Sequence, residues 1–235
     1  MSYDDVGDAR DFGDVLALPT HDGVGTILLN RPHLLNAVRA ATFVGLRDAA
    51  RWLSQSSDCG AIVFRGAGRA FCAGLDLKGG LTGAESGDRT ALTYRAVGAG
   101  AEAVATLREI SQPVVASISG AAVGAGMSLA VAADLRICSP DARFGAPFVH
   151  VGMSAADLGL SWLLPRLIGN AAATSILLQG GWLSASEARD VGLVTEVADD
   201  ADGRALEVAR ALAAQPRLAT SITKTMLNNA QSNGF

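Results

Sequence analysis

The amino-acid sequence predicts an α/β protein built on a largely parallel sheet, and three observations carry that prediction. Short apolar runs alternate along the chain with stretches whose apolar positions recur at helical spacing. Two of the runs open into glycine-rich turns followed by helical pattern, the kind of crossover that parallel strands need. Apolar residues make up 49% of the 235 positions and charged residues 18%, without an unbroken apolar run of about eighteen. That balance suits one sizeable soluble core and gives no membrane span.

The elements follow in order. The opening residues 1–13 are acidic and lack an apolar stretch of the kind a signal peptide has, so they read as a disordered tail. Residues 15–18 and 24–29 read as adjacent strands joined by a turn at His21, Asp22 and Gly23. Thr42, Leu46, Ala49 and Leu53 mark one face of a helix, and 61–65 a strand. Tyr94, Val97, Ala101, Val104 and Leu107 mark a second helix. A strand at 114–119, a small-residue helix near 126–133 and a strand at 134–138 come next. From Asp157 the pattern is helical, with a capping box at Ser184 and Glu187, a brief strand at 193–197 and a helix at 204–214. Pro216 breaks the chain before a last helical stretch through 223–227. No repeat or low-complexity linker divides the chain.

Composition excludes several functions. A net charge of −4 without basic clusters argues against nucleic acid as the partner. Three cysteines, Cys59, Cys72 and Cys138, without CxxC spacing argue against a metal site or disulfide framework and for a reducing, cytoplasmic setting. With 27 glycines and only 5% aromatics, backbones approach one another closely, which suits a site made of peptide groups.

The two glycine-rich exits, 62–77 and 114–130, share a strand–turn–helix design that aims free N–H groups outward. Such turns are also ordinary packing features. Two converging on one point would form an oxyanion hole. A dinucleotide site fits less well, because Leu129 stands where GxGxxG needs its last glycine. Met127-Ser128 and Met153-Ser154 each miss the last glycine of GxSxG. Cys72 has apolar neighbours that raise a thiol pKa, so it reads as core. Asp76 reads as ordering its turn through backbone N–H groups, and Lys78 as either a solvated charge or a contact for a ligand phosphate.

RAFCAGLDLK (69–78) together with ISGAAVGAGMSLAVAADLRI (118–137) resembles the two signature segments of the crotonase, or enoyl-CoA hydratase/isomerase, superfamily. LNRPHLLNAV (29–38), ARFGAPFVHVGM (142–153), SWLLPRLIG (161–169) and LSASEARDVGLVTEV (183–197) add to the likeness, which runs from about residue 14 to the end. The resemblance implies a spiral of ββα units in two roughly perpendicular sheets over 14–200, followed by a shortened helical region at 201–235. It also implies an acyl-CoA thioester as substrate, no separate cofactor, and a homotrimer or hexamer. Leu75 and Ala125 occupy the positions whose N–H groups form the oxyanion hole. Leu35, Ala37 and Ala73 fall where the CoA adenine lies, and Asp76, Leu77 and Lys78 continue that loop.

The chain departs from the family at two points. Ser128 and Phe148 stand on the substrate side where hydratases carry two glutamates. Asp157 sits in a segment resembling the turn of dienoyl-CoA isomerases that supplies an acid/base, and it also suits a helix cap. His150 reads as a packing or surface residue. The readings left standing are an enoyl-CoA hydratase or enoyl/dienoyl-CoA isomerase, a non-catalytic acyl-CoA-binding homologue and, resting on the glycine turns alone, a nicotinamide oxidoreductase.

Overall fold

The structure, a computed structural model, describes residues 8–77, 89–154 and 158–230. Strands β1 (Arg10–Asp11), β2 (Val15–His21) and β3 (Val24–Leu29) form an antiparallel start. Asp22 and Gly23 between β2 and β3 have φ of 51° and 81°, the left-handed pair that a two-residue hairpin loop requires. Within the stretch 1–13 expected as a tail, Arg10 and Asp11 pair with Ala17 and Leu16, while residues 1–7 lie outside the described residues.

The chain continues through α1 (Ala40–Ser54), β4 (Ala61–Gly66), α2 (Arg89–Glu109), β5 (Val114–Ile118), β6 (Ala121–Val123), α3 (Ala125–Ala132), β7 (Leu135–Cys138) and β8 (Arg143–Gly145). After a 3-10 turn at Pro147–Val151 come α4 (Leu160–Ile168), α5 (Asn170–Gln179), β9 (Trp182–Ser184), α6 (Ala185–Asp190) and β10 (Glu196–Val197). Helices α7 (Ala201–Ala213) and α8 (Arg217–Ala230) close the described chain.

The larger sheet has the order β1-β2-β3-β4-β5-β7-β10 and is parallel from β3 onward. A smaller sheet of β6, β8 and β9 stands beside it. Successive side chains of a strand point to opposite faces, and both faces here are covered. Ile62, Phe64, Val114, Ala116 and Ile118 join α1 and α3 in the main core. Val63, Val115 and Ile137 face α7, which meets them with Ala201, Ala205 and Ala209 at four-residue spacing. Between β5 and β6 the chain crosses to the smaller sheet at Gly120, where φ is +60° and a Cβ would lie 2.2 Å from Arg69 O. Only glycine passes there.

Candidate active site

The segment after β4 is gripped from both sides. Phe71 and Cys72 N–H groups donate to Ser119 and Ala121 carbonyls at 2.7 and 2.9 Å, and Val123 N–H donates to Cys72 O at 2.9 Å. On its other edge, Ala73 N–H donates to Leu35 O at 2.9 Å, Val38 N–H to Gly74 O at 2.8 Å, and Asp76 N–H to Val38 O at 2.9 Å. In a parallel ladder a residue that bonds to both neighbours of its partner leaves that partner's own N–H facing away. Val38 does so here, so the Leu75 N–H turns from Val38 toward the second glycine-rich turn.

That turn brings the start of α3 to meet it. Ala125, Gly126 and Met127 form the first turn of α3, whose N–H groups have no helical acceptor. The first α3 amide bonded back is Ser128 N–H, to Gly124 O at 3.0 Å. Gly74, at φ +98°, runs so close that its Cβ would sit 2.8 Å from Val123 O and 3.9 Å from Ala125 N. Covalent geometry then keeps the Leu75 and Ala125 nitrogens within about 8 Å of each other. Gly126 permits the approach, since a Cβ there would fall 2.2 Å from Cys72 O. Among the described residues neither N–H meets an acceptor. Ala125 keeps a negative φ, as a non-glycine residue prefers.

Beside these amides lies a cavity of about 20 Å³ whose walls include Phe43, Leu75, Phe148, Met153, Ser154 and Leu158. Phe148 is 7% exposed, and its ring reaches within 3.8 Å of where a Gly124 Cβ would be. Ser128 is fully buried in α3, its hydroxyl 3.4 Å from Gly124 O in its own helix. Neither supplies a carboxylate. Cys72 is fully buried, and burial pushes its thiol up to about 12, outweighing the Gly74 N–H that points to its sulfur at 3.5 Å.

The other predicted residues divide. Leu35, Ala37 and Ala73 are brought together by the bond from Ala73 N–H to Leu35 O, with Leu35 itself at φ 52°. Leu77 is 65% exposed. The Asp76 carboxylate is bound by the Arg31 guanidinium at 2.9 Å, an ion pair that the sequence reading of this turn did not include. His150 is exposed and its ring lies against Gly180. Lys78 and Asp157 lie outside the described residues.

Sequence reasoning passed over the frame that holds this loop. Arg31 donates to Ala37 O as well as to Asp76. Asn36, 1% exposed and at φ 55°, donates to Ala67 O and Ala70 O at 2.9 and 2.8 Å and accepts from Arg31 N–H at 2.9 Å. Both residues sit in the 29–38 motif, which carried the family likeness without revealing their partners. Among the described residues no group of three or more His, Cys, Asp or Glu is placed to hold a metal ion. No described helix is long and apolar enough to cross a membrane.

A family model described as enoyl-CoA hydratase/isomerase matches residues 19–234. A protein named probable enoyl-CoA hydratase echA12, from Mycobacterium leprae, is 36% identical over 211 residues, which is 87% of this chain and 71% of that one. The 1,2-epoxyphenylacetyl-CoA isomerase of Escherichia coli (strain K12) is 34% identical over 219 residues, 90% of this chain and 80% of that one. The crystal structure of a probable enoyl-CoA hydratase/isomerase from Mycobacterium abscessus superposes with a TM-score of 0.85 at 32% identity, covering 95% of this chain and 84% of that one. For the echA12 protein of Mycobacterium bovis the chain spans 63% of the relative's length. The chain belongs to the enoyl-CoA hydratase/isomerase family and has its crotonase fold.

Proposed function

We propose that the protein is an acyl-CoA enzyme whose Leu75 and Ala125 N–H groups together hold the thioester oxygen, and that it isomerises the double bond of an enoyl- or dienoyl-CoA. The reading is supported by two N–H groups without acceptors among the described residues, on nitrogens that lie within about 8 Å of each other. Donors aimed at the oxygen stabilise the enolate that forms when a proton leaves the neighbouring carbon. Each such donor contributes about 3 kcal/mol to lowering a barrier of this type. The C–H electron pair passes into the enolate, and return of the proton at the far end of the conjugated system completes the shift.

A proton carrier is then needed, and the two family glutamate positions hold Ser128 and Phe148. Asp157 takes that role in this reading. It stands in sequence between Ser154 and Leu158, both of which line the cavity. With Ser128 and Phe148 at both glutamate positions, proton transfer is favoured over addition of water. By family likeness the protein works as a homotrimer or hexamer in the cytoplasm, with CoA carried by the substrate and no further cofactor.

The test is a panel of enoyl-, dienoyl- and 3-hydroxyacyl-CoA esters incubated in heavy water and resolved by mass. Deuterium uptake without the mass of an added water is the expected result, and Asp157→Asn lowers turnover by at least about 10²-fold while CoA-ester binding persists. Full turnover of the variant on every competent ester removes Asp157 from the mechanism. The second reading, a binding protein without catalysis, is favoured by the loss of both glutamates. Thermal stabilisation by acyl-CoA with no product from any ester selects it.

A further inference from the structure

Beyond the cavity at Leu75 lies a much larger groove, of about 460 Å³, between α2, the start of α4 and α8. Its apolar walls include Val104, Leu158, Trp162 and Leu163, and its outer rim carries Arg108 and Asn228, joined by hydrogen bonds of 2.6 and 2.8 Å. Among the described residues, Leu158 is shared by the linings of the two spaces. It is 5% exposed and held by an unusual seat: its Cδ2 occupies the place of an absent side chain, 2.3 Å from where a Gly100 Cβ would be. The Phe43 ring edge closes the same point, 3.3 Å from it. Among the described residues, Leu158 is thus the side chain that borders both the small space beside the amides and the larger, partly apolar groove.

We propose that Leu158, seated on Gly100, is the residue that fixes the acyl length this site accepts: short acyl groups fit in front of it, and longer ones are turned away from the groove. The proposal rests on the acyl-CoA reading above and adds the substrate class to it. The space in front, about 20 Å³, is of the order that one water-sized group fills, so few carbons beyond the carbonyl are accommodated there. Burial of each further methylene strengthens binding only where a dry wall receives it. Removing the Leu158 side chain opens such a wall in the groove.

The experiment uses saturated, unreactive thioesters, so that it reads binding and not turnover. Calorimetric titration with butyryl-CoA and decanoyl-CoA, and with free CoA as control, is run on the native protein, Leu158→Ala, Ala105→Phe and the double variant. Ala105 lines the groove, away from the amides. The native protein binds decanoyl-CoA no tighter than butyryl-CoA. Leu158→Ala binds decanoyl-CoA at least tenfold tighter than butyryl-CoA, Ala105→Phe alone keeps the native order, and the double variant loses the gain. Leu158→Val, a smaller truncation, gives an intermediate gain and serves if the alanine variant does not fold. A native protein that already gains tenfold with the longer chain, or truncations that leave the order unchanged, overturns the wall alone. Native protein that binds neither ester better than free CoA overturns the acyl-CoA reading, and the wall falls with it.

Discussion

At the scale of single residues, the loop after β4 carries a thiol, a carboxylate and a bare peptide N–H, and packing assigns each a different fate. Cys72 lies wholly inside, where desolvation holds the thiol protonated with a pKa of about 12. Cys59 and Cys138 are buried too, their thiols pushed upward mainly by burial. The folded protein at pH 8 therefore leaves a thiol reagent unconsumed, and denaturant releases three reactive thiols. A fast-reacting thiol in the native state contradicts this assignment, as does loss of turnover in Cys72→Ala beyond what its lower stability explains. The fate of Cys72 was legible from its neighbours Ala70, Phe71 and Ala73. That of Asp76 was not, because its partner Arg31 is 45 positions earlier and only the fold brings them together.

At the scale of elements, strands β3, β4 and β5 were plain in the sequence because runs covered on both faces are nearly continuously apolar. Strands β6, β8 and β9 were not. Each is three residues long, too short to show a period, and tertiary pairing defines it. Equally hidden was the junction at Asp14, where the approach to β2 meets the N-terminus of α1. Its carboxylate receives Arg39 at 2.8 and 2.9 Å and Thr42 at 2.6 Å, with Arg31 at 3.7 Å. Burial alone would raise its pKa, but the hydrogen bonds of Arg39 and Thr42 and the charges of Arg39 and Arg31 outweigh it and hold the carboxyl below its usual value. A carboxyl whose folded pKa is depressed adds stability above its unfolded pKa of about 3.9, and that stability disappears as pH falls through the lower, folded value. Urea titrations of native protein and Asp14→Asn thus differ most above pH 5, and the gap narrows as pH drops below 4. The native excess near neutrality is about 2–3 kcal/mol, on the low side for a buried pair because Arg39 is half-exposed. A gap that stays constant down to pH 2 places the stabilisation elsewhere.

At the scale of the whole molecule, the helical C-terminal region that the sequence promised consists of two helices attached by different physics. Helix α7 is bound as helices usually are, by small apolar residues pressed on a sheet. Helix α8 is not. Leu218, Ile222, Met226 and Leu227 are all more than half exposed, and the one residue it buries is Lys224. The Lys224 ammonium reaches Leu107 O and Gln112 O at 2.9 Å each and the Asp134 carboxylate at 2.8 Å, which fastens α8 to the end of α2 and the start of β7. Burial lowers its pKa while Asp134 works against that drop, so the desolvated ammonium stays dependent on its partners. Breaking a buried pair from one side costs about 3–5 kcal/mol. Among the described residues the Arg108–Asn228 bonds, one of them to a charged group, also tie α8 down and are worth about 1.5–3 kcal/mol. Lys224 makes three of the contacts that fasten α8, so Lys224→Ala loosens α8 while the sheet, its strand order and α7 persist. Hydrogen exchange across 217–230 rises toward the unprotected rate, exchange in β3 to β5 stays slow, and the groove loses the wall formed by Thr225 and Asn228. Unchanged protection of 217–230 in that variant makes the Arg108–Asn228 pair the true anchor, a result that Asn228→Ala then has to reproduce by freeing the helix on its own.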